Sequence, residues 1–107
     1  PYDSGAQGVL QLMAYIRLTI AKPTRGQEAR LEELMRKLDA LSEGRPGFIQ
    51  SYLLRPHDDS GDIARIGIYE NEAAAEGLAN TQSWMALRSE IHLCSEAGHT
   101  DRAFFSI

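Results

Sequence analysis

Four residues in the last third of the chain combine a cation with large apolar side chains at helical spacing. Trp84, Leu87, Arg88 and Ile91 fall at positions i, i+3, i+4 and i+7, which places them on one stripe of a helix. A charge on such a wall is costly unless it pairs with an acid or a ligand anion, and a developing phenolate or enolate needs such a cation. The pattern predicts either that Arg88 faces a cleft as an anion partner, or that it reaches the rim and pairs with a carboxylate.

Tyrosines and arginines on the predicted strands form a second group: Tyr15, Arg17, Tyr52, Arg65 and Tyr69. A phenol and a guanidinium in a cleft could hold and polarise a phenolic substrate, which makes Tyr69 a catalytic candidate beside Arg88. Tyrosine and arginine are also enriched in protein interfaces, so packing across a dimer interface is the alternative.

A histidine and cysteine cluster near the C-terminus raises the question of a metal. His92, Cys94 and His99 lie close in sequence with Glu96 among them, but their spacing matches no standard zinc site. On a helix, residues 92 and 94 point to nearly opposite sides. We therefore expect surface histidines, a buried thiol and no metal. The sequence also contains no nucleotide, hydrolase or metalloprotease motif.

Composition limits the classes of function. The chain has 107 residues and a net charge of −4, which gives no electrostatic footprint for nucleic acid. No apolar run approaches the roughly 18 residues of a membrane span, and we expect a cytoplasmic protein without a membrane partner. The single Cys94 cannot form an internal disulfide. Residues 1–8 are predicted to be a flexible arm, followed by one domain over residues 9–107.

The order of predicted elements is strand, helix, strand, strand, broken helix, strand. Residues 9–21 alternate as a strand, Thr24 and Gln27 suggest a capping box, and Leu31, Leu34, Leu38 and Leu41 form one helical stripe. Two strands, 48–55 and 63–70, flank a hairpin loop. Asn71 should cap the first part of the broken helix, and Asn80 or Thr81 the second, which runs to about Glu96. Gly77 should lie at a close backbone approach. A loop over 96–101 and a strand over 102–107 complete the prediction.

This order predicts an α+β fold, a ferredoxin-like four-stranded antiparallel sheet with its helices on one face. The other face would carry alternate strand residues and pack against a second copy as a homodimer. The residues predicted to share that face are Met13, Tyr15, Arg17, Gln50, Tyr52, Arg65, Tyr69 and Phe104.

The sequence resembles the antibiotic biosynthesis monooxygenase family of dimeric α+β barrels. The segments that carry the resemblance are YIRLTIAKP (15–23), EARLEELMRKLDAL (28–41), RPGFIQSYLLR (45–55) and IYENEAAAEGLANTQSWMALRSEI (68–91). The resemblance implies a homodimer and a split helix over a ligand cleft. Some members of the family oxidise phenols or related electron-rich aromatics with molecular oxygen and without metal or flavin, others degrade haem, and many have no assigned activity. At the positions of the catalytic triad in haem-degrading relatives stand Ile16, Leu78 and Arg88, and arginine cannot ligate iron, so haem degradation is rejected.

Two hypotheses of function follow from these observations. The first is a cofactor-independent monooxygenase acting on a small aromatic or quinol-type substrate, with Arg88 and Tyr69 as catalytic residues. The residues expected to bind the substrate are Trp84, Leu87, Ile91, Ile16 and Leu78. The alternative is a non-catalytic ligand-binding or structural dimeric module on the same scaffold, because a fold does not fix a function.

Overall fold

The computed structural model describes residues 13–107, which form four strands and three helices. The elements are β1 (Tyr15–Pro23), α1 (Glu28–Ser42), β2 (Phe48–Leu54), β3 (Ile63–Tyr69), α2 (Glu72–Ala79), α3 (Gln82–Leu93) and β4 (Ser95–Phe105). The strands make one antiparallel sheet in the order β2-β3-β1-β4. This is the topology of the split βαβ unit, so the predicted order and fold class are confirmed.

The predictions for the start of the chain fall partly outside the described residues. The flexible arm over residues 1–8 and strand residues 9–12 lie there. Of the rest, Met13 and Ala14 precede β1, which begins at Tyr15 and continues two residues beyond the predicted end, to Pro23. None of the helices in residues 13–107 is long and apolar enough to cross a membrane.

The helices cover the sheet face that carries Tyr15, Arg17, Arg65 and Tyr69. Tyr15, Arg65 and Tyr69 are buried, and Arg17 bonds to Glu76 of α2. The other face, here called the open face, carries half-buried apolar residues of β1 and β3 and their cross-strand partners. The open face consists of Ile16, Leu18, Ile66, Ile68, Gln50, Tyr52 and Phe104.

The predicted single face of tyrosines and arginines is therefore wrong. Gln50 pairs with Ile68, Tyr52 with Ile66, and Phe104 with Ile16, all on the open face. The remaining strand members of that set lie under the helices. Alternation separates the two faces of a strand but does not indicate which one the helices cover.

The main core forms where α1 packs on the sheet and on α3. Leu31, Leu34 and Leu38 are buried as predicted, Leu41 is half-buried, and Met35 is fully buried in addition. These side chains meet the buried residues Ala21, Ile63 and Ile91. Several turns of apolar contact from one helix thus fix α1 against β1, β3 and α3.

The capping box predicted for α1 is wrong. The helix begins at Glu28, and its N-cap residue, Gln27, makes no side-chain capping bond. The Thr24 hydroxyl instead donates to the carbonyl oxygen of Cys94 at 3.2 Å. The Thr24 hydroxyl, which the local sequence predicted to cap α1, therefore makes a tertiary contact instead.

The predicted helix break is confirmed. The Asn71 side chain accepts a hydrogen bond from the Ala74 N–H and caps α2, and the Thr81 side chain accepts one from the Trp84 N–H and caps α3. Gly77 is a correction, because no atom lies within 4 Å of where its Cβ would stand. The close approach occurs at Gly47, whose added Cβ would lie 2.5 Å from the Ala74 Cβ.

The C-terminal boundaries also differ from the prediction. α3 ends at Leu93 instead of Glu96, and β4 already begins at Ser95. The predicted loop is largely strand, since His99 pairs with Ala21 and Thr100 with Ile20. Pairing with β1 outweighs the local turn residues, which appear only as an irregularity with positive φ at Ala97 and Gly98.

Candidate functional site

A cleft opens between the helix-covered face of the sheet and the helices. The sheet contributes Arg17, Thr19, Arg65, Tyr69, His99 and Asp101. The helices contribute Leu38, Ala75, Ala79, Trp84, Arg88 and Ile91. The recess has a volume of about 470 Å³ including its open mouth.

A buried arginine forms part of the floor of the cleft. Arg65 is 3% exposed, and its Nε donates to Asp39 Oδ1 at 2.6 Å while Nη2 donates to Ser42 Oγ at 3.1 Å. Its guanidinium carbon lies 5.2 Å from the ring centre of Trp84. A buried charge persists only when it is paired and hydrogen-bonded, and both conditions hold here. Arg65 therefore positions α1 and Trp84.

The glycine between Arg65 and Tyr69 allows both side chains to bend over the strand. A Cβ at Gly67 would lie 3.1 Å from Arg65 Nη1 and 3.2 Å from the Tyr69 hydroxyl oxygen. Such contacts are closer than ordinary van der Waals packing, so a larger residue would push these side chains apart. A glycine inside a strand was the sequence signal for this close approach.

A carboxylate on β4 gathers three donors at the side of the cleft. Asp101 Oδ1 accepts from Thr19 Oγ1 at 2.7 Å. Asp101 Oδ2 accepts from Arg88 Nη2 at 2.9 Å, and His99 Nε2 lies 3.0 Å from that same oxygen. A carboxylate only accepts, so His99 carries its proton on Nε2 when neutral, and Nδ1 then holds a lone pair. Arg88 and His99 thus share one oxygen.

The three arginines that line the cleft all have carboxylate partners. Arg17 Nη1 lies 3.3 Å from Glu76 Oε2, Arg65 pairs with Asp39, and Arg88 pairs with Asp101. The Arg88 side chain is 53% exposed, so a ligand anion can compete for it at little desolvation cost. Arg65, by contrast, is held in place by burial.

The structure brings together most of the predicted site residues. Tyr69, Trp84, Arg88 and Ile91 all line the cleft. For Arg88 the structure combines the two alternatives, because it pairs with a carboxylate and also lines the cleft.

Three other predicted substrate-binding residues do not line the cleft. Leu87 packs on the main core and Leu78 is buried with Tyr15, Tyr69 and Ala75. Ile16 is a correction, because it lies on the open face, on the opposite side of the sheet from the cleft.

The structure places His99 and Asp101 in the cleft, and neither was among the catalytic or substrate-binding residues predicted from the sequence. The side chain of His99 is 7% exposed, so the prediction of a surface histidine is wrong for it, whereas His92 is exposed. Two residues apart on a strand, the pair shares one face, but the segment was predicted to be a loop. Within residues 13–107, no three His, Cys, Asp or Glu side chains come close enough to hold one metal ion.

Comparisons with known proteins identify a family and structures of similar fold. A family model described as antibiotic biosynthesis monooxygenase matches residues 13–89. SnoaB from Streptomyces nogalater, described as a cofactor-independent oxygenase, is 16% identical, with a TM-score of 0.76 over 89% of this chain and 94% of its own. A conserved protein from Methanosarcina mazei is 7% identical, with a TM-score of 0.85 over 94% and 99%.

A protein from Pseudomonas aeruginosa is 20% identical, with a TM-score of 0.76 over 91% of this chain and 97% of its own. A search among curated proteins found no match. At these identities the solved structures support the fold alone.

Proposed function

The chain belongs to the antibiotic biosynthesis monooxygenase family, and we propose that it is a cofactor-independent monooxygenase that oxidises a small aromatic, quinol-forming substrate. The observation that carries this proposal is a cleft lined by the half-exposed Arg88 together with Trp84 and Tyr69. An aromatic wall suits a flat ring, and the cation suits the anion formed when that ring loses a proton.

The proposed reaction balances with molecular oxygen as the only co-reactant. The substrate is a phenol with a ring C–H that becomes a carbonyl. Its hydroxyl hydrogen and its ring hydrogen leave with one oxygen atom as water, and the other oxygen atom becomes the new carbonyl of a quinone. The deprotonated ring supplies the electrons, so the protein has to orient and desolvate it and stabilise its charge.

Each cleft residue has a distinct part in this proposal. Arg88 leaves Asp101 to pair with the phenolate, and the Tyr69 hydroxyl donates to a substrate oxygen. Trp84 and Ile91 contact the ring, while Leu87 and Leu78 support these walls from behind. The substrate occupies the recess of about 470 Å³ and displaces the Arg88 side chain from Asp101.

The test measures oxygen uptake with a panel of hydroxyanthrones and quinols, using ¹⁸O₂ to follow the product. We expect one oxygen molecule consumed and one labelled atom incorporated per turnover, with kcat lowered by Arg88→Met and Tyr69→Phe. Lys37→Met, which removes an exposed cation of α1, is the matched control. No uptake together with saturable ligand binding would favour the non-catalytic binding module instead.

We also propose that the open face joins two copies as a homodimer. Its residues on β1 and β3 are apolar and only half-buried, and Tyr52 and Phe104 are exposed. A sheet with one apolar face uncovered lacks its second layer, which a two-fold partner supplies by presenting the same face.

Light scattering at micromolar concentration tests this association. We expect a dimer for the wild-type protein and for Met85→Glu, which changes an exposed apolar residue of α3, and a monomer for Tyr52→Glu. A wild-type monomer would contradict the proposal.

A further inference from the structure

We propose that His99 is the proton acceptor of the cleft and takes up a proton when an aromatic anion binds at Arg88. A phenol would then bind as phenolate and imidazolium. This inference rests on the proposed function for its substrate class, but it concerns binding and needs no oxygen chemistry.

The shared oxygen of Asp101 couples the two side chains. Arg88 Nη2 and His99 Nε2 both approach Oδ2, at 2.9 and 3.0 Å. When a ligand anion draws Arg88 away, the carboxylate keeps only the imidazole and the Thr19 hydroxyl as partners. A carboxylate that has lost its cation favours the charged form of the histidine that remains.

The second ring nitrogen makes the proton uptake depend on the ligand. His99 Nδ1 is the only buried side-chain nitrogen or oxygen in the described part of the chain that has no hydrogen-bond partner. Protonation would turn it into a buried N–H that has no hydrogen-bond acceptor, which is unfavourable. A phenolate oxygen at this nitrogen would supply that acceptor. Ligand anion and proton therefore stabilise each other.

The other arginines that line the cleft already have ion-pair partners. On β1 and β3, Arg17 and Arg65 are paired with Glu76 and Asp39. On α3, the exposed His92 ring contacts the His99 ring edge-on, with centroids 5.5 Å apart, and is the only other histidine near the site among residues 13–107. His99 is thus the group placed to take up the proton.

Calorimetry with a permanently anionic aromatic, 2-naphthalenesulfonate, tests the inference directly. Titrations at pH 8 in two buffers of different ionisation enthalpy give the number of protons taken up on binding. We expect net proton uptake when the anion binds, and a Kd that rises with pH by at most tenfold per pH unit. His99→Gln should bind without proton uptake, whereas His92→Gln and the remote His57→Gln should retain it.

Several results would overturn the inference. These are wild-type binding without proton uptake, equal uptake by His99→Gln, or no saturable binding of the probe at millimolar concentration. If His99→Gln does not fold, NMR of the wild-type protein labelled with ¹⁵N-histidine reports whether the His99 ring becomes charged on adding the probe. If binding takes up a proton but the substrate panel consumes no oxygen, the proposed oxygenase activity alone is contradicted. If oxygen is consumed but binding takes up no proton, this inference alone is contradicted.

Discussion

The guanidinium carbon of Arg65 lies 5.2 Å from the ring centre of Trp84, so the only tryptophan of the chain covers a buried cation. The restarted helix α3 begins at Gln82, and its cap at Thr81 places Trp84 in the first turn, over the sheet. The helix break thus places an aromatic ring over a charge that also binds Asp39 and Ser42. This contact joins α3 to β3 at the cleft.

We expect Trp84→Phe to lower the free energy of unfolding by about 1 kcal/mol and Trp84→Leu by about 2 kcal/mol more. Phenylalanine keeps a π-face over Arg65, while leucine removes it, and a desolvated cation–π contact contributes about 2 kcal/mol. Urea unfolding followed by circular dichroism measures both, because the fluorescent residue is lost. Equal losses of unfolding free energy in Trp84→Phe and Trp84→Leu would show that only the volume of the side chain at this position matters for stability.

Arg88→Met should change stability by less than about 1 kcal/mol, because the ion pair with Asp101 is largely exposed. Binding of 2-naphthalenesulfonate should weaken at least tenfold, since the ligand loses its cation. Lys37→Met makes the same change of net charge away from the cleft and should leave binding as it was. If Arg88→Met binds the anion like wild type, Arg88 has no role in the site.

Gly67→Ala should disturb the cleft without unfolding the protein. The new Cβ would stand 3.1 Å from both Arg65 Nη1 and Tyr69 Cε1, so at least one of these side chains has to shift. We expect a loss of about 1–3 kcal/mol in stability from overpacking, together with altered tyrosine signals in near-ultraviolet circular dichroism. Unchanged stability and unchanged anion binding would mean that the side chains yield freely.

The sequence predicted those features that depend on neighbouring residues. The leucine stripe of α1, the hairpin between β2 and β3, and the caps Asn71 and Thr81 follow from local periodicity and side-chain hydrogen bonding. The cleft-lining role of Trp84 and Ile91 followed from the same periodicity.

What the sequence did not predict depends on tertiary contacts. Alternation in β1 could not reveal that Tyr15 and Arg17 face the helices. A charged residue normally indicates the exposed face of a strand, but here Arg17 is paired with Glu76 of α2, which is distant in sequence. The early start of β4 depends on pairing with β1, which also aligns Thr19 with Asp101. Asp101 and the side chains that contact it, Thr19, Arg88 and His99, are the centre of the inferred proton coupling. This group could be recognised only in three dimensions.

Glu32 should make stability depend on acid. Hydrogen bonding from Arg36, followed by attraction to Arg55, lowers the pKa of the Glu32 carboxyl below its ordinary value near 4.5. A lowered folded pKa stabilises the protein above the unfolded value, and this contribution is lost as pH falls through the folded pKa. Glu32→Gln should therefore be less stable than wild type at pH 7.

The stability difference between wild type and Glu32→Gln should shrink once the pH drops below about 4.5. Thermal melts across the acidic range measure it. Glu70→Gln is the matched control, because Glu70 is exposed and forms no ion pair within residues 13–107. A difference between wild type and Glu32→Gln that stays constant with pH would contradict the assignment of this ion pair.

Two glycines near α2 should respond in opposite directions to replacement by alanine. At Gly77, in the last turn of the helix, an added Cβ meets nothing within 4 Å outside the helix's own backbone, so Gly77→Ala should gain up to about 1 kcal/mol from helix propensity. At Gly47, φ is +80° and the new Cβ would lie 2.5 Å from the Ala74 Cβ, so Gly47→Ala should lose more than about 1 kcal/mol. Urea unfolding of both variants under one set of conditions measures the two changes. A loss at Gly77 would mean that another surface, such as a partner's, packs against α2.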